Sequence, residues 1–85
     1  MFQPASFHPQ VLDVLLEAKP GALMRVTGIL TAKGINIDRL SLSPDAGRPG
    51  LARIRLSARV EERYRQRIVK EIRRLVQVLS VVEAG

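Results

Sequence analysis

The chain of 85 residues is short of the side chains that most often carry chemistry. It has no cysteine, no tryptophan, one histidine, one tyrosine and two phenylalanines. Without cysteine, neither a disulfide framework nor a thiolate nucleophile is available. The histidine, His8, falls within residues 1–9, which we predict to form a loose leader, so we interpret it as a solvated side chain. A histidine-based catalytic or metal site is therefore not expected.

Acidic pairs with an evident catalytic arrangement are also lacking. Asp13 and Glu17 have the same parity in a predicted strand, which places them on one face, and we interpret them as surface or sheet-partner carboxylates. A catalytic centre needs a nucleophile with its base, a metal cluster or a converging acid and base. Because no such group is evident, we predict that the chain is not an enzyme and holds no metal ion.

Long apolar runs are absent as well. No stretch approaches the roughly 18 to 20 apolar residues that span a bilayer. The first residues, MFQPASFHPQ, lack the basic start and the apolar core of a secretory signal. We therefore expect a cytoplasmic globular domain. A chain this short buries only roughly 60 to 65% of its unfolded surface, so self-association is expected too.

Acidic residues are in the minority, and the imbalance is local. The formal net charge is +6, and residues 48–74 carry ten basic side chains against three acidic ones. Such a basic surface attracts nucleic acid, an acidic membrane or an acidic protein. Arg53, Arg55 and Arg59 have the same parity in a predicted strand. We predict either that they dock an acidic protein partner or that they form a solvated strand face.

The spacing of apolar residues predicts six elements in the order βαββαβ. The second strand changes its apolar phase near Asp38, which predicts a β-bulge or a sharp twist there. The order is that of a ferredoxin-like α+β sandwich, in which a four-stranded antiparallel sheet carries two helices on one face. We predict one domain over residues 10–85. The predicted strands are 11–16, 35–42, 51–58 and 76–82, and the predicted helices are 21–33 and 61–75.

The turn between the first strand and the first helix is the strongest candidate for a binding site. Pro20 suits the first helical turn because its missing N–H would have no intrahelical acceptor there. Gly21 lacks a Cβ, so a ligand can approach the backbone, and the first-turn amides point outward. These amides and the helix dipole favour an anion such as a carboxylate. The alternative is that Pro20 and Gly21 only start the helix.

Three segments of the chain resemble one family. Residues 15–28, LLEAKPGALMRVTG, are similar to an "LLE-x-x-PGAL-x-RV-x-G" turn and helix. Residues 33–40 are similar to an "RG-x-NI-x-SL" strand start, and residues 74–78 to a closing "KLV-x-V". From about Val11 to Val82 the chain resembles the ACT domain, and within it the regulatory small subunits of acetohydroxyacid synthase, also called acetolactate synthase. In length it is closer to the short class of these subunits, in which one ACT domain alone activates the enzyme.

This resemblance implies a non-catalytic subunit that binds and activates a separate catalytic chain in valine, leucine and isoleucine synthesis. Thiamine diphosphate, FAD and Mg²⁺ are then expected in that partner, and no cofactor is expected in this chain. A homodimer through ACT–ACT pairing is implied, with an amino-acid effector bound between the two domains. The implied ligand contacts are Pro20, Gly21 and Ala22 of one domain and Asn36 and Ile37 of the other.

Two positions depart from the pattern of valine-sensitive relatives. Those relatives carry asparagine where this chain has Ala18, and usually a small or hydroxyl residue where it has Met24. The loss of a hydrogen bond to a charged ligand weakens affinity by about tenfold to a hundredfold. We therefore expect weak valine binding and leave the identity of the effector open.

Two other functions stay open on the sequence. RNA-recognition modules share the βαββαβ order, but their central strands stack bases on aromatic side chains. The predicted strands at 11–16 and 51–58 contain no aromatic residue, which disfavours RNA binding. A stand-alone ACT-domain amino-acid sensor that serves another enzyme is the nearer alternative.

Overall fold

A computed structural model describes residues 7–84 of the chain and contains the six elements in the predicted order. The strands form one antiparallel sheet in the order β2-β3-β1-β4, so β3 and β1 lie at its centre. This arrangement confirms the ferredoxin-like prediction. The bounds are β1 Phe7–Glu17, α1 Ala22–Thr31, β2 Ile37–Pro44, β3 Leu51–Glu61, α2 Glu62–Arg73 and β4 Val78–Glu83.

The alternation of side chains in β1 and β3 separates the face of the sheet that packs against the helices from the opposite face, on which Leu15 is nevertheless buried. Leu12 and Val14 of β1 and Ile54 and Leu56 of β3 are at most 1% exposed and join one core with the helices. The helices contribute the buried side chains Ala22, Val26, Leu30, Ile68, Val69 and Ile72. We call the opposite side the open face. It carries Val11, Asp13 and Leu15 of β1, Arg39, Ser41 and Ser43 of β2, and Arg53, Arg55, Ser57 and Arg59 of β3.

The second strand contains the irregularity that its sequence predicts. Its register with β3 shifts between Ile37 and Arg39, and Asp38 has no Cα partner there, which confirms the predicted bulge. Beyond the shift, Leu40 and Leu42 lie opposite Leu56 and Ile54 and share their face of the sheet. The bulge therefore reconciles the two apolar phases of this strand.

The loose leader predicted for residues 1–9 is wrong for its last three residues. Strand β1 begins at Phe7, and His8 pairs with Val60 of β3. Pro9 is tolerated because β4 pairs with β1 only from Leu12 onward and the N–H of Ala84 donates to Val11, so one edge of residues 7–10 has no ladder to break. The first six residues of the predicted leader lie outside the described part of the chain.

A glycine follows the end of α1, and an ion pair links that end to α2. The helix ends at Thr31, two residues before the predicted bound, and Gly34 takes a positive φ of 71° just after it. The Nζ of Lys33 lies 2.8 Å from the Oε2 of Glu71, which connects the end of α1 to α2. Within residues 7–84, neither helix has the length and apolar character that crossing a membrane would require.

One pair of identical substitutions tests where the core lies. Val14 is fully buried in β1, whereas Val76 is 90% exposed in the turn before β4. We expect Val14→Ala to lower the free energy of unfolding by roughly 2 to 3 kcal/mol, because it removes buried apolar groups and leaves a cavity. We expect Val76→Ala to change it by less than about 0.5 kcal/mol. Urea unfolding measures both, and equal effects would contradict this core.

Candidate functional site

The turn from β1 into α1 is held by its own backbone. Gly21 is the N-cap residue of α1 and lies in the left-handed region, with φ 81° and ψ −8°. The N–H of Ala18 donates to the carbonyl of Gly50 at 2.9 Å, and the N–H of Ala22 donates to the carbonyl of Lys19 at 3.1 Å. These bonds fix the path of the turn without any side-chain cap.

The free donors of this turn differ in part from those expected. The amide of Ala22 is taken by Lys19, and its side chain is only 4% exposed. Within residues 7–84, the amides of Gly21, Leu23 and Met24 have no acceptor. A Cβ placed on Gly21 would meet no atom within 4 Å, so the space in front of this backbone is open. The turn can thus donate to a carboxylate through three amides, although not through that of Ala22.

A mostly apolar cleft lies beside these amides. It has a volume of about 350 Å³, and its lining includes Ala18, Pro20, Leu23 and Leu42. Leu42 comes from the edge strand β2, so the cleft joins the turn to the end of that strand. Met24 is 76% exposed and is not part of the lining. This geometry suits a ligand with an apolar side chain and a carboxylate.

The other predicted ligand contacts lie at the opposite end of α1. Asn36 and Ile37 follow the C-terminal end of this helix, and a helix of ten residues is about 15 Å long. Asn36 lines a separate cleft of about 300 Å³, together with Lys33, Arg59 and Tyr64. A single chain therefore brings Pro20, Gly21 and Ala22 together but does not bring Asn36 and Ile37 to them.

The three arginines proposed for docking do share the open face. Arg53 and Arg55 are both exposed there, and each has a carboxylate nearby. The Nε of Arg53 donates to Asp45 at 3.2 Å, and the Nε of Arg55 lies 3.7 Å from Asp13. Arg59 has no carboxylate within 4 Å among the residues that the structure describes. Of the three arginines, Arg59 is therefore the most available to pair with a carboxylate of another molecule.

A shallow groove on the open face was missed by the sequence reasoning. It has a volume of about 640 Å³, and its polar lining comes from Arg39 and Ser41 of β2 and Arg55 and Ser57 of β3. The alternation of β3 could have placed Arg55 and Ser57 on one face. The bulge near Asp38, however, hides which residues of β2 lie beside them, because it reverses the parity of that strand.

No group of three or more potential metal ligands occurs within residues 7–84. His8, which we interpreted as solvated, lies with its Nε2 3.7 Å from the Oε1 of Glu62, and both side chains are more than half exposed. Because both side chains are largely in solvent, this pair has no surroundings that would give it a chemical role.

Comparison with known families and curated proteins gives consistent matches. The model of the AHAS small subunit-like ACT domain matches residues 12–80. The acetolactate synthase isozyme 3 small subunit of Escherichia coli is 38% identical over 76 residues, which cover 89% of this chain and 46% of that protein. The probable acetolactate synthase small subunit of Methanothermobacter thermautotrophicus is 35% identical over 71 residues, or 84% and 42% of the two chains. The chain thus spans less than half the length of these relatives.

Solved structures share the fold. An acetolactate synthase small subunit from Thermotoga maritima superposes with a TM-score of 0.76 at 24% identity, covering 89% of this chain and 47% of that one. The ACT domain of a GTP pyrophosphokinase from Chlorobium tepidum gives 0.75 at 19% identity and covers 93% and 100% of the two chains. At these identities the similarity is one of architecture.

Two glycine substitutions test the conformation of the turn. We expect Gly21→Ala to lower the free energy of unfolding by about 1 kcal/mol, since an alanine strains at a φ of 81°. Gly28 lies inside α1 with open space around it, so Gly28→Ala is expected to raise stability by about 0.5 to 1 kcal/mol. Thermal and urea unfolding measure both. A Gly21→Ala variant as stable as the unmodified chain would show that the left-handed cap is not required.

Proposed function

This chain belongs to the family of AHAS small subunit-like ACT domains, and we propose that it acts as a non-catalytic regulatory subunit or domain of acetolactate synthase. In this proposal it binds and activates a separate thiamine-diphosphate-dependent catalytic chain in branched-chain amino-acid synthesis. Thiamine diphosphate, FAD and Mg²⁺ reside in that partner. The observation that carries the proposal is the family match over residues 12–80, which include the turn with its free amides.

We propose that two copies pair through the edge strand β2. Every residue of this strand except Ile37 is exposed, and the strand has a partner on one side only. Leu40 and Leu42 are 44% and 54% exposed on the side of the sheet that carries the helices. An exposed edge with apolar side chains is a template for strand addition. A second copy is the occupant that the family resemblance implies.

Antiparallel pairing of two β2 strands would assemble the effector site that one chain leaves divided. When the strands pair about their midpoint, residue 37 of the second copy lies opposite residue 44 of the first. Asn36 of the second copy then approaches the end of β2 where Leu42 lines the turn cleft. The amides near Gly21 would bind the carboxylate of an amino acid, and the amide group of Asn36 would both donate and accept.

The catalytic chain docks, in this proposal, on the open face near Arg53, Arg55 and Arg59. These side chains are exposed, and the helices do not reach that side of the sheet. Charges at the rim of an interface mainly raise the rate of association and select the partner. An acidic surface on the catalytic chain is the complement that the arginines require.

The main test is activation of the catalytic chain from the same organism. We expect this protein to co-purify with it and to raise its rate of acetolactate formation. Replacing Arg53, Arg55 and Arg59 together by glutamine should weaken binding by about tenfold, since three exposed charge contacts each contribute about 0.5 kcal/mol. The matched control replaces Arg63, Arg67 and Arg74, which are exposed in or just after α2, by glutamine.

The two triple variants change the net charge equally, so they separate position from charge. A loss confined to the open-face variant supports docking there, and an equal loss in both contradicts it. If the unmodified protein neither binds the catalytic chain nor changes its rate, the regulatory assignment itself is wrong.

A second test concerns the effector. Ala18 lines the turn cleft and offers no hydrogen-bonding side chain, so we expect weak valine binding by calorimetry. Ala18→Asn should tighten it by about tenfold to a hundredfold, because a charge-assisted hydrogen bond is restored. Ala18→Leu is the control, since leucine has a similar shape without the amide. Equal affinities for the two variants, or micromolar valine binding by the unmodified chain, would contradict this role for residue 18.

A further inference from the structure

Two cross-strand pairs bring four hydrogen-bond donors into one square on the open face. Arg39 lies opposite Ser57, and Ser41 lies opposite Arg55. Residues directly opposite in an antiparallel pair have Cβ atoms about 5 Å apart, and diagonal neighbours are about 7 to 8 Å apart. The two arginines occupy one diagonal of this square and the two serines the other. We call these four residues the Arg–Ser square.

The Arg–Ser square lines a wide groove on the open face. Its other lining residues are Val11, Leu40 and Leu56, so the groove contains two guanidinium groups and no carboxylate. Its volume of about 640 Å³ lies within the range of sites for small molecules. The side chains of Leu40 and Leu56 lie on the helix side of the sheet, so Val11 is the apolar side chain on the open face here, and the groove is dominated by positive charge.

The donors of the square are largely uncommitted. Arg39 has no carboxylate within 4 Å among residues 7–84. The Nε of Arg55 lies 3.7 Å from the Oδ1 of Asp13, which is longer than a hydrogen bond. By contrast, Arg53 on the same strand and face already donates to Asp45 at 3.2 Å. Arg39 therefore has no acidic partner among the described residues, and Arg55 has only the carboxylate of Asp13 at ion-pair distance.

We propose that the Arg–Ser square binds the phosphoryl group of a small phosphorylated molecule. Guanidinium groups present planar forks that match phosphate oxygens, and serine hydroxyls donate to the oxygens left over. The three terminal oxygens of a phosphoryl group can accept from the arginines and from the serines at once. A single carboxylate has only two oxygens to share among these four side chains. The site is complete within one chain and is separate from the amino-acid cleft at Gly21, but it shares Arg55 and the open face with the docking surface proposed above. Binding of pyrophosphate to the isolated chain tests it without the catalytic partner, so the two proposals can fail separately.

The test uses pyrophosphate as the probe and the full chain as the protein. We expect calorimetry to give a dissociation constant of roughly 0.1 to 1 mM at low salt, weakening as ionic strength rises. In ¹⁵N-labelled protein, the amide signals of Ser41 and Ser57 should shift with the same constant. Either Arg39→Gln or Arg55→Gln should weaken binding about tenfold or more.

Matched controls separate this site from general positive charge. Arg53→Gln removes the same charge from the same strand and face but should change binding less than about twofold, because Arg53 is outside the groove lining and bonded to Asp45. The double variant Ser41→Ala with Ser57→Ala keeps all the charges and should weaken binding by several-fold. Urea midpoints close to that of the unmodified chain show that each variant folds.

A failure to bind pyrophosphate would overturn the proposal outright, and three other results would also do so. The first is an equal loss of affinity in Arg53→Gln and Arg55→Gln, which would indicate diffuse charge only. The second is citrate binding as tightly as pyrophosphate through the same residues, which would indicate a general carboxylate site. The third is polyglutamate binding through Arg39 and Arg55 more tightly than pyrophosphate, which would assign the square to an acidic protein surface.

Discussion

The antiparallel pairing of β1 with β3 is the constraint on which the rest of this structure depends. Eleven residues of each strand are in register, from Phe7 opposite Glu61 to Glu17 opposite Leu51. Because side chains alternate between the two faces of a strand, this register places Leu12, Val14, Ile54 and Leu56 on one face. A slip by one residue would bring the arginines of β3 to the helices and expose the core.

Both of the surfaces proposed to be functional follow from that register. On one side, the helices cover the centre of the sheet but leave Leu40 and Leu42 of the edge strand exposed, beside the cleft of the turn. On the other side, the residues excluded from the core by alternation form the basic open face. The cleft of the turn and the groove with Arg39 and Arg55 thus lie on opposite sides of one sheet. Strand β2 contributes Leu42 to the cleft and Arg39 and Ser41 to the groove. A ligand in either one would therefore contact the same edge strand.

Much of the fold could be predicted from local pattern. Alternation in β3 and the apolar stripe of α2 identified their elements, and the phase change near Asp38 located the bulge. The start of β1 could not be found in this way, since Pro9 and Gln10 are poor signals of a strand. Gln10 is only 1% exposed, and two hydrogen bonds stabilise its buried amide group. Its Nε2 donates to the carbonyl of Arg65 at 3.3 Å and to the carboxylate of Glu83 at 3.4 Å. Those partners are distant in sequence, so a local pattern could not reveal them.

The sequence by itself determined the order of the elements, the presence of a turn at Pro20 and Gly21 and the excess of basic charge, because each depends on residues that are neighbours in the chain. Only the tertiary structure decided that the amide of Ala22 is occupied and that Asn36 lies at the far end of α1. It also decided that Arg39 and Ser41 stand opposite Ser57 and Arg55. These facts depend on which strands pair and in what register, and that choice is made by burial of the shared core rather than by any one segment.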